Sequence, residues 1–194
     1  IYYLMENIAL TLTQASNISV IVSIAPIFTG ILAHFFLEGE KMKKSIVLGF
    51  VCAMAGICLI TFQKGETVEL NPLGDFLGVA AAAIWGVYSI CSRKIAGFGY
   101  DTIITTRRTF FYGILFMLCA LPFMDFHLSL SALLKPVNLG NIIYLGVGAS
   151  AICFVTWNYA VKSLGATRAS VYIYGIPVVT ILMSIPLLHE VITF

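Results

Sequence analysis

Residues 15–40 read ASNISVIVSIAPIFTGILAHFFLEGE, and residues 166–190 read ATRASVYIYGIPVVTILMSIPLLHE. Both begin with small and polar residues, carry a proline inside an apolar run (Pro26, Pro177) and end in glutamate (Glu40, Glu190). The match extends upstream. At an offset of 151, Ile1–Glu38 aligns without gaps on Ile152–His189, with nine identities in 38. They are Ile1/Ile152, Asn7/Asn158, Ala9/Ala160, Ala15/Ala166, Ser19/Ser170, Val20/Val171, Pro26/Pro177, Thr29/Thr180 and Leu37/Leu188. Apolar coincidences are expected in so hydrophobic a chain, but an asparagine and a proline in register are not. The sequence therefore contains an internal duplication.

The 194 residues are 60% hydrophobic and 10% charged, with a mean hydropathy of +0.99. An ordinary soluble domain carries roughly a quarter charged residues, and too few are present here to cover a surface facing water. That excludes a soluble enzyme and a disordered segment. The net charge of +2 is no basic footprint, which excludes a nucleic-acid binder. Cys52, Cys58, Cys91, Cys119 and Cys153 lie within apolar runs without CxxC or Cys/His spacing, and read as small packing residues rather than a disulfide or metal framework.

A helix crosses a bilayer in about 20 apolar residues. Charge-poor runs of that order occupy Asn17–Leu37, Ile46–Phe62, Phe76–Ser92 (from about Leu73), Ile103–Phe123, Val137–Val161 and Ala169–Leu188, and Ile1–Leu12 resembles the tail of another. None alternates with period two, so a barrel is excluded and helices are expected. The expectation is an all-α integral membrane protein with six full transmembrane helices plus a partial one.

Lys41, Lys43, Lys44, Arg93, Lys94, Arg107, Arg108, Lys162 and Arg168 fall in or beside loops on one side of such a bundle, and Lys64 and Lys135 on the other. The positive-inside bias makes loops 38–45, 93–102 and 162–168 cytoplasmic. The two copies of the repeat start five spans apart, so they are inverted in the membrane. Inverted repeats with interrupted helices favour secondary transport, in which one half rocks against the other around a midplane site.

On these residues the sequence resembles the EamA type of the drug/metabolite transporter superfamily. The resemblance rests on Ala15–Ser19, Ala25–Phe28 and Phe36–Glu40, on Leu164–Ser170, Ile176–Val178 and Leu188–Glu190, and on Asn71-Pro72-Leu73-Gly74-Asp75 as the entry to a second repeat. It implies a ten-helix bundle of two inverted five-helix repeats with cytoplasmic termini, exporting or exchanging small metabolites. Residues 1–63 would then be the C-terminal part of the first repeat, 64–72 an extracytoplasmic linker, and 73–194 the second repeat without its last helix. The offset sets the first repeat's opening about 75 residues before Ile1, and about 20 residues would complete the second after Phe194, for a whole of about 290–300.

Ionisable groups within a span are costly and mark functional candidates. Glu6 lies in the partial first helix beside Asn7. It either snorkels to the near interface or serves as a proton-coupling site or a contact for a cationic substrate. The equivalent pair in the second copy is Trp157 and Asn158. Ser19, Ser23, Pro26 and Gly30 share one helical face, matched by Ser170, Tyr174, Pro177 and Ile181; the prolines either kink the helix for packing or free a carbonyl into a cavity. Trp85 and Tyr88, three apart, are packing residues or part of a substrate cage. The cavity candidates are Glu6, Asn7, Ser23, Pro26, Trp85, Tyr88, Trp157, Asn158, Tyr174 and Pro177. Arg107 and Arg108 snorkel to the cytoplasmic face, or one of them pairs an anionic substrate; His34 is interfacial.

Other motifs fail in context. Gly146-Val-Gly148-Ala-Ser-Ala151 spells a dinucleotide fingerprint but lies within a charge-free span, and no acid follows to hold a ribose. His189-Glu190 lacks the second histidine of a zinc motif, and Asn17-Ile-Ser19 is a sequon by letters only. No nucleophile–base pair is present. The expected protein is a non-enzymatic secondary transporter in a bacterial plasma membrane. Its partners are a small-molecule substrate, the lipid bilayer and a second copy in a homodimer; nucleic acid, metal and cofactor are not expected. The alternatives are a nucleotide-sugar-like carrier, which would need Arg107, Arg108 or Arg168 for phosphates, and a non-transporting membrane scaffold.

Overall fold

A computed structural model describes residues 1–13, 15–42, 44–63, 71–123 and 130–175. Expectations for Pro177, for the rest of Ala169–Leu188 beyond Gly175, and for Glu190 lie outside the described residues. Among those described, all regular structure is helical. In chain order it comprises α1 (Tyr2–Leu12), α2 (Ala15–Val22), α3 (Ala25–Phe36), α4 (Lys44–Gln63), α5 (Pro72–Gly97), α6 (Thr102–Ala120), α7 (Leu130–Leu133), α8 (Pro136–Ile143), α9 (Cys153–Leu164) and α10 (Ala166–Val171). Short 3-10 turns follow α6 (Leu121–Phe123) and α10 (Tyr172–Gly175), and a π-helical stretch, Tyr144–Ile152, joins α8 to α9.

Among the described residues, three stretches are long and apolar enough to cross a membrane: Pro72–Gly97, Thr102–Ala120 and Pro136–Leu164, of 26, 19 and 29 residues. At 1.5 Å per residue they measure about 39, 28 and 43 Å, against a hydrocarbon core of about 30 Å. Shorter apolar helical stretches run over Val20–Phe36, across α2 and α3, and over Lys44–Gly56 within α4. The short helix α7 had no counterpart in the sequence pattern. The dinucleotide-like glycines, Gly146 and Gly148, sit in the π-helical stretch of a continuous helical run.

The expected uninterrupted helix over Asn17–Leu37 is two helices, broken at Ser23–Ile24. Pro26 falls in the first turn of α3 rather than mid-helix. There its missing N–H is no loss, because first-turn amides have no intrahelical partner. Ile24 and Ile27 close tight turns onto Ile21 and Ile24 carbonyls at 3.0 and 2.9 Å. The serine–proline stripe is therefore split between two helices.

The chain divides into two compact units: residues 1–91 with those from Leu164 onward, and Ser92–Ser163. In the first, most of the buried positions among the described residues are small, with Ile18 and Ile90 as larger exceptions. The small ones include Ala9, Ala25, Thr29, Gly30 and Ala33, the α5 stripe Gly74, Gly78, Ala82 and Gly86, and Ala166, Ala169 and Ser170 of α10. Helices in lipid gain little by hiding apolar side chains, so they associate by close backbone approach through small residues. A Cβ at Gly86 would fall 3.2 Å from both Phe28 Cβ and the Thr29 amide nitrogen, and one at Gly78 would fall 3.0 Å from Ile18 Cδ1. We expect Gly86→Val to destabilise the protein by about 1–3 kcal/mol by forcing α5 off α3. Thermal unfolding in detergent checks this; an unchanged midpoint would refute the close approach.

In the second unit α6 is nearly bare. Phe111, Tyr112, Ile114, Leu115, Phe116 and Leu118 are all exposed. So contiguous an apolar surface would aggregate in water and suits apolar surroundings. Cys52, Cys91, Cys119 and Cys153 are free and exposed, so they lie on helix surfaces instead of filling interior packing.

Helix starts explain the flagged Asn71–Asp75 segment. Asn71 Oδ1 accepts from the Gly74 amide at 3.1 Å, Pro72 opens α5, and Asp75 stands in the first turn near the positive helix end. Asp101 does the same for α6, accepting from the Ile104 amide at 3.0 Å.

Candidate substrate site

Glu6 and the aromatic pair are linked through Tyr2 in the first unit. The Tyr2 hydroxyl, one turn before Glu6 on α1, donates to Glu6 Oε1 at 2.8 Å. The Tyr2 ring lies 5.1 Å from that of Trp85, and Trp85 lies 5.6 Å from Tyr88. Glu6, Trp85 and Tyr88 are all half-buried. An ionisable carboxylate is thus held by one phenol whose ring leads on to two more, Trp85 and Tyr88. Such a group suits an organic cation or amine, which gains charge pairing at the acid and cation–π contact at the rings. Tyr2 was missed in the sequence; its spacing of four from Glu6 on a helix was the available signal.

The remaining candidates separate. Asn7 is exposed on α1, while Ser23 and Pro26 are buried where α2 gives way to α3. Gly86, adjacent to Trp85, lies against α3 at Phe28 and Thr29, so one helix carries the ring pair and packs beside the break. The Tyr174 ring faces Phe50 of α4, 6.4 Å away, rather than the Glu6 group.

Trp157 and Asn158 belong to the second unit. Asn158 is buried; its side-chain oxygen accepts from Ser92 Oγ at 2.6 Å, and its nitrogen donates to Thr106 Oγ1 at 2.9 Å. It ties α5, α6 and α9 together. With Ser92, Tyr100, Thr102 and Thr105 it lines a cavity of about 10 Å³, room for at most about one water. We expect Asn158→Leu to cost about 1–3 kcal/mol by stranding the Ser92 hydroxyl and removing the donor to Thr106 Oγ1, read as a lowered unfolding midpoint. A normal midpoint with an altered transport KM would instead make Asn158 a substrate contact.

Two basic residues of this unit bond to nearby carbonyls. Arg93 donates to the Lys162 carbonyl at 2.6 Å, and Lys162 to the Tyr100 carbonyl at 3.2 Å. The first satisfies an orphan carbonyl at the negative end of α9. Arg107 and Arg108 are exposed near the start of α6. Arg108 lines an open groove of about 660 Å³ with Asp101, Tyr100, Thr105 and Tyr112.

The sequence also underrated Glu40. Its two oxygens accept the amides of Ala166 and Thr167 at 3.2 and 3.0 Å, capping α10 from 126 and 127 residues upstream. Gly165, before α10, has φ +92° and no side chain to cap with. Among the described residues no group of three or more His, Cys, Asp or Glu is placed to hold a metal.

Membrane-length apolar helices, a lipid-suited surface and an acid half-buried among aromatics define an integral membrane protein of the all-helical class. The chain belongs to the EamA-like transporter family, which matches residues 1–62 and 72–194. Similar proteins include the uncharacterized transporter YyaM of Bacillus subtilis (28% identical, over 91% of this chain and 58% of the relative). An uncharacterized transporter of Archaeoglobus fulgidus is 29% identical over 100% of this chain and 66% of its own. The probable terminal-alkyne amino-acid exporter of Streptantibioticus cattleyicolor is 27% identical, over 98% and 62%. A solved crystal structure of 22% identity has the same fold, with a TM-score of 0.81 over 99% of this chain and 66% of the other. The chain thus spans less than two thirds of the length of these relatives.

Proposed function

We propose that this sequence belongs to a secondary transporter that moves small organic metabolites by alternating access. Residues 1–63 form the end of the first five-helix repeat, 64–72 an extracytoplasmic linker and 73–194 the second repeat, within a ten-helix bundle. Loops 38–45, 93–102 and 162–168 face the cytoplasm of a bacterial cell, and the protein sits in its plasma membrane. The observation that carries the proposal is the Glu6 carboxylate, hydrogen-bonded by Tyr2, whose ring lies against Trp85 with Tyr88 beyond it. It favours an amphipathic amine, an amino acid among them; the exporter name of one relative points the same way.

The test is uptake and counterflow by the complete protein in proteoliposomes, across amines, amino acids and nucleotide sugars. Saturable flux of an amine or amino acid is the expected result. Flux confined to nucleotide sugars would favour the alternative carrier, with the Arg108 groove as its anion contact. An intact protein that moves nothing across the panel would favour a scaffold.

A further inference from the structure

We propose that Glu40 is a positioning residue, a cytoplasmic latch that holds α3 and α10 together and must release for the protein to open on that side. This rests on the transporter assignment above. The two helices pack on each other, with Gly30 of α3 facing Thr167 of α10, and their buried residues are small: Thr29, Gly30 and Ala33 on α3 and Ala166, Thr167 and Ser170 on α10. Beyond α3 the chain turns at Gly39, where φ is +85°, and Glu40 then reaches the first turn of α10.

The cap is unusual in where it comes from. A helix start is ordinarily satisfied by its own N-cap side chain, one to three residues away. At α10 that position is Gly165, and both amides are satisfied by a residue on a distant loop. Glu40 closes the first copy of the sequence repeat, and Ala166 and Thr167 open the helix of the second. The contact therefore joins the two copies. The carboxylate also lies at the positive end of a helix, where negative charge is favoured.

Its chemistry suits release. Glu40 is only half-buried, so water can take over from both partners when they separate, and the net stabilisation is modest. Met42 adds a second layer, its Cε 3.0 Å from where a Cβ on Gly30 would lie. The polar contact sits on the loop between α3 and α4, next to Gly39, rather than on a helix.

The experiment uses the complete protein in nanodiscs, with native cysteines replaced and Ser170→Cys as a probe in the closed interface. Glu40→Gln and Glu40→Ala are compared with the unaltered Glu40 background for amide exchange across residues 165–170. The same samples are labelled at the introduced thiol by a membrane-impermeant maleimide, and sidedness is read in proteoliposomes. Exchange is expected to rise in both variants, more in Glu40→Ala. Labelling from the Glu40 side is expected to rise about 2- to 30-fold, the range of a lost cap, with no rise from the opposite side. Faster exchange without greater labelling would reduce Glu40 to a helix cap and overturn the latch. No change in either would remove the contact itself. Glu40→Gln keeps an acceptor oxygen and preserves the comparison if Glu40→Ala does not fold. Neither readout needs a substrate, so a failure here is separable from an absence of transport.

Discussion

Gly165→Ala is expected to lower stability by about 2–4 kcal/mol, the sum of two separable costs. The backbone at Gly165 has φ +92° and ψ 158°, a region that side chains occupy at a cost of about 1–3 kcal/mol. A Cβ there would also lie 2.6 Å from Glu40 Oε1 and 2.9 Å from its Cδ. The carboxylate must then leave the Ala166 and Thr167 amides, and a lost cap costs about 1 kcal/mol. Gly39→Ala supplies the control. Gly39 also has positive φ (+85°), but a Cβ there meets nothing within 4 Å, so only backbone strain is expected. Gly97→Ala, helical and open, should be neutral or slightly stabilising. Thermal unfolding in detergent ranks the three. If Gly165→Ala is no worse than Gly39→Ala, the Glu40 contact contributes nothing to stability.

The broad architecture was readable because bilayer thickness converts directly into the length of an apolar run. Phe76–Ser92 and Val137–Val161 were each recovered as the centre of a longer helix, Pro72–Gly97 and Pro136–Leu164. Their ends extended further because capping residues and basic loop residues continue the helix beyond the apolar stretch. The break before α3 was misjudged for a specific reason. A proline in an apolar run reads as a kink or a freed carbonyl inside one helix, yet a residue without N–H is equally at home in a first turn, and only the hydrogen bonds decide. The Asn158 network was half legible. An intramembrane amide draws attention, but its partner Thr106 resembles Thr105 and Thr109, and all three also bond back to their own helix. The Glu40 cap was the least legible, since local rules inspect only the residues beside a helix start. The clue lay in combining two facts: Glu recurs at the end of each copy, and Gly165 offers no cap.

Glu6→Gln is expected to produce the largest functional change. Glutamine keeps an oxygen where the Tyr2 hydroxyl donates at 2.8 Å, so the local geometry survives while the charge is lost. If Glu6 contacts a cationic substrate or carries the coupled proton, that charge is the working element. A contact to a charged group is worth about 1.5–3 kcal/mol, which corresponds to about 10- to 150-fold in transport kcat/KM. The pH dependence of uptake should flatten with it, because glutamine has no proton to exchange. Tyr2→Phe tests the complementary part: the carboxylate remains, one neutral donor is lost, and the effect should be a few-fold at most, about 0.5–1.5 kcal/mol. A snorkelling Glu6 makes the opposite prediction. A carboxylate serving only the interface leaves both kcat/KM and the pH profile unchanged in Glu6→Gln, and that result in initial-rate measurements on the complete protein would remove Glu6 from the site. The aromatic side is tested in the same assay by Trp85→Leu. It removes the ring between Tyr2 and Tyr88 and should raise KM for an organic amine while leaving the pH profile in place, since cation–π attraction involves no proton.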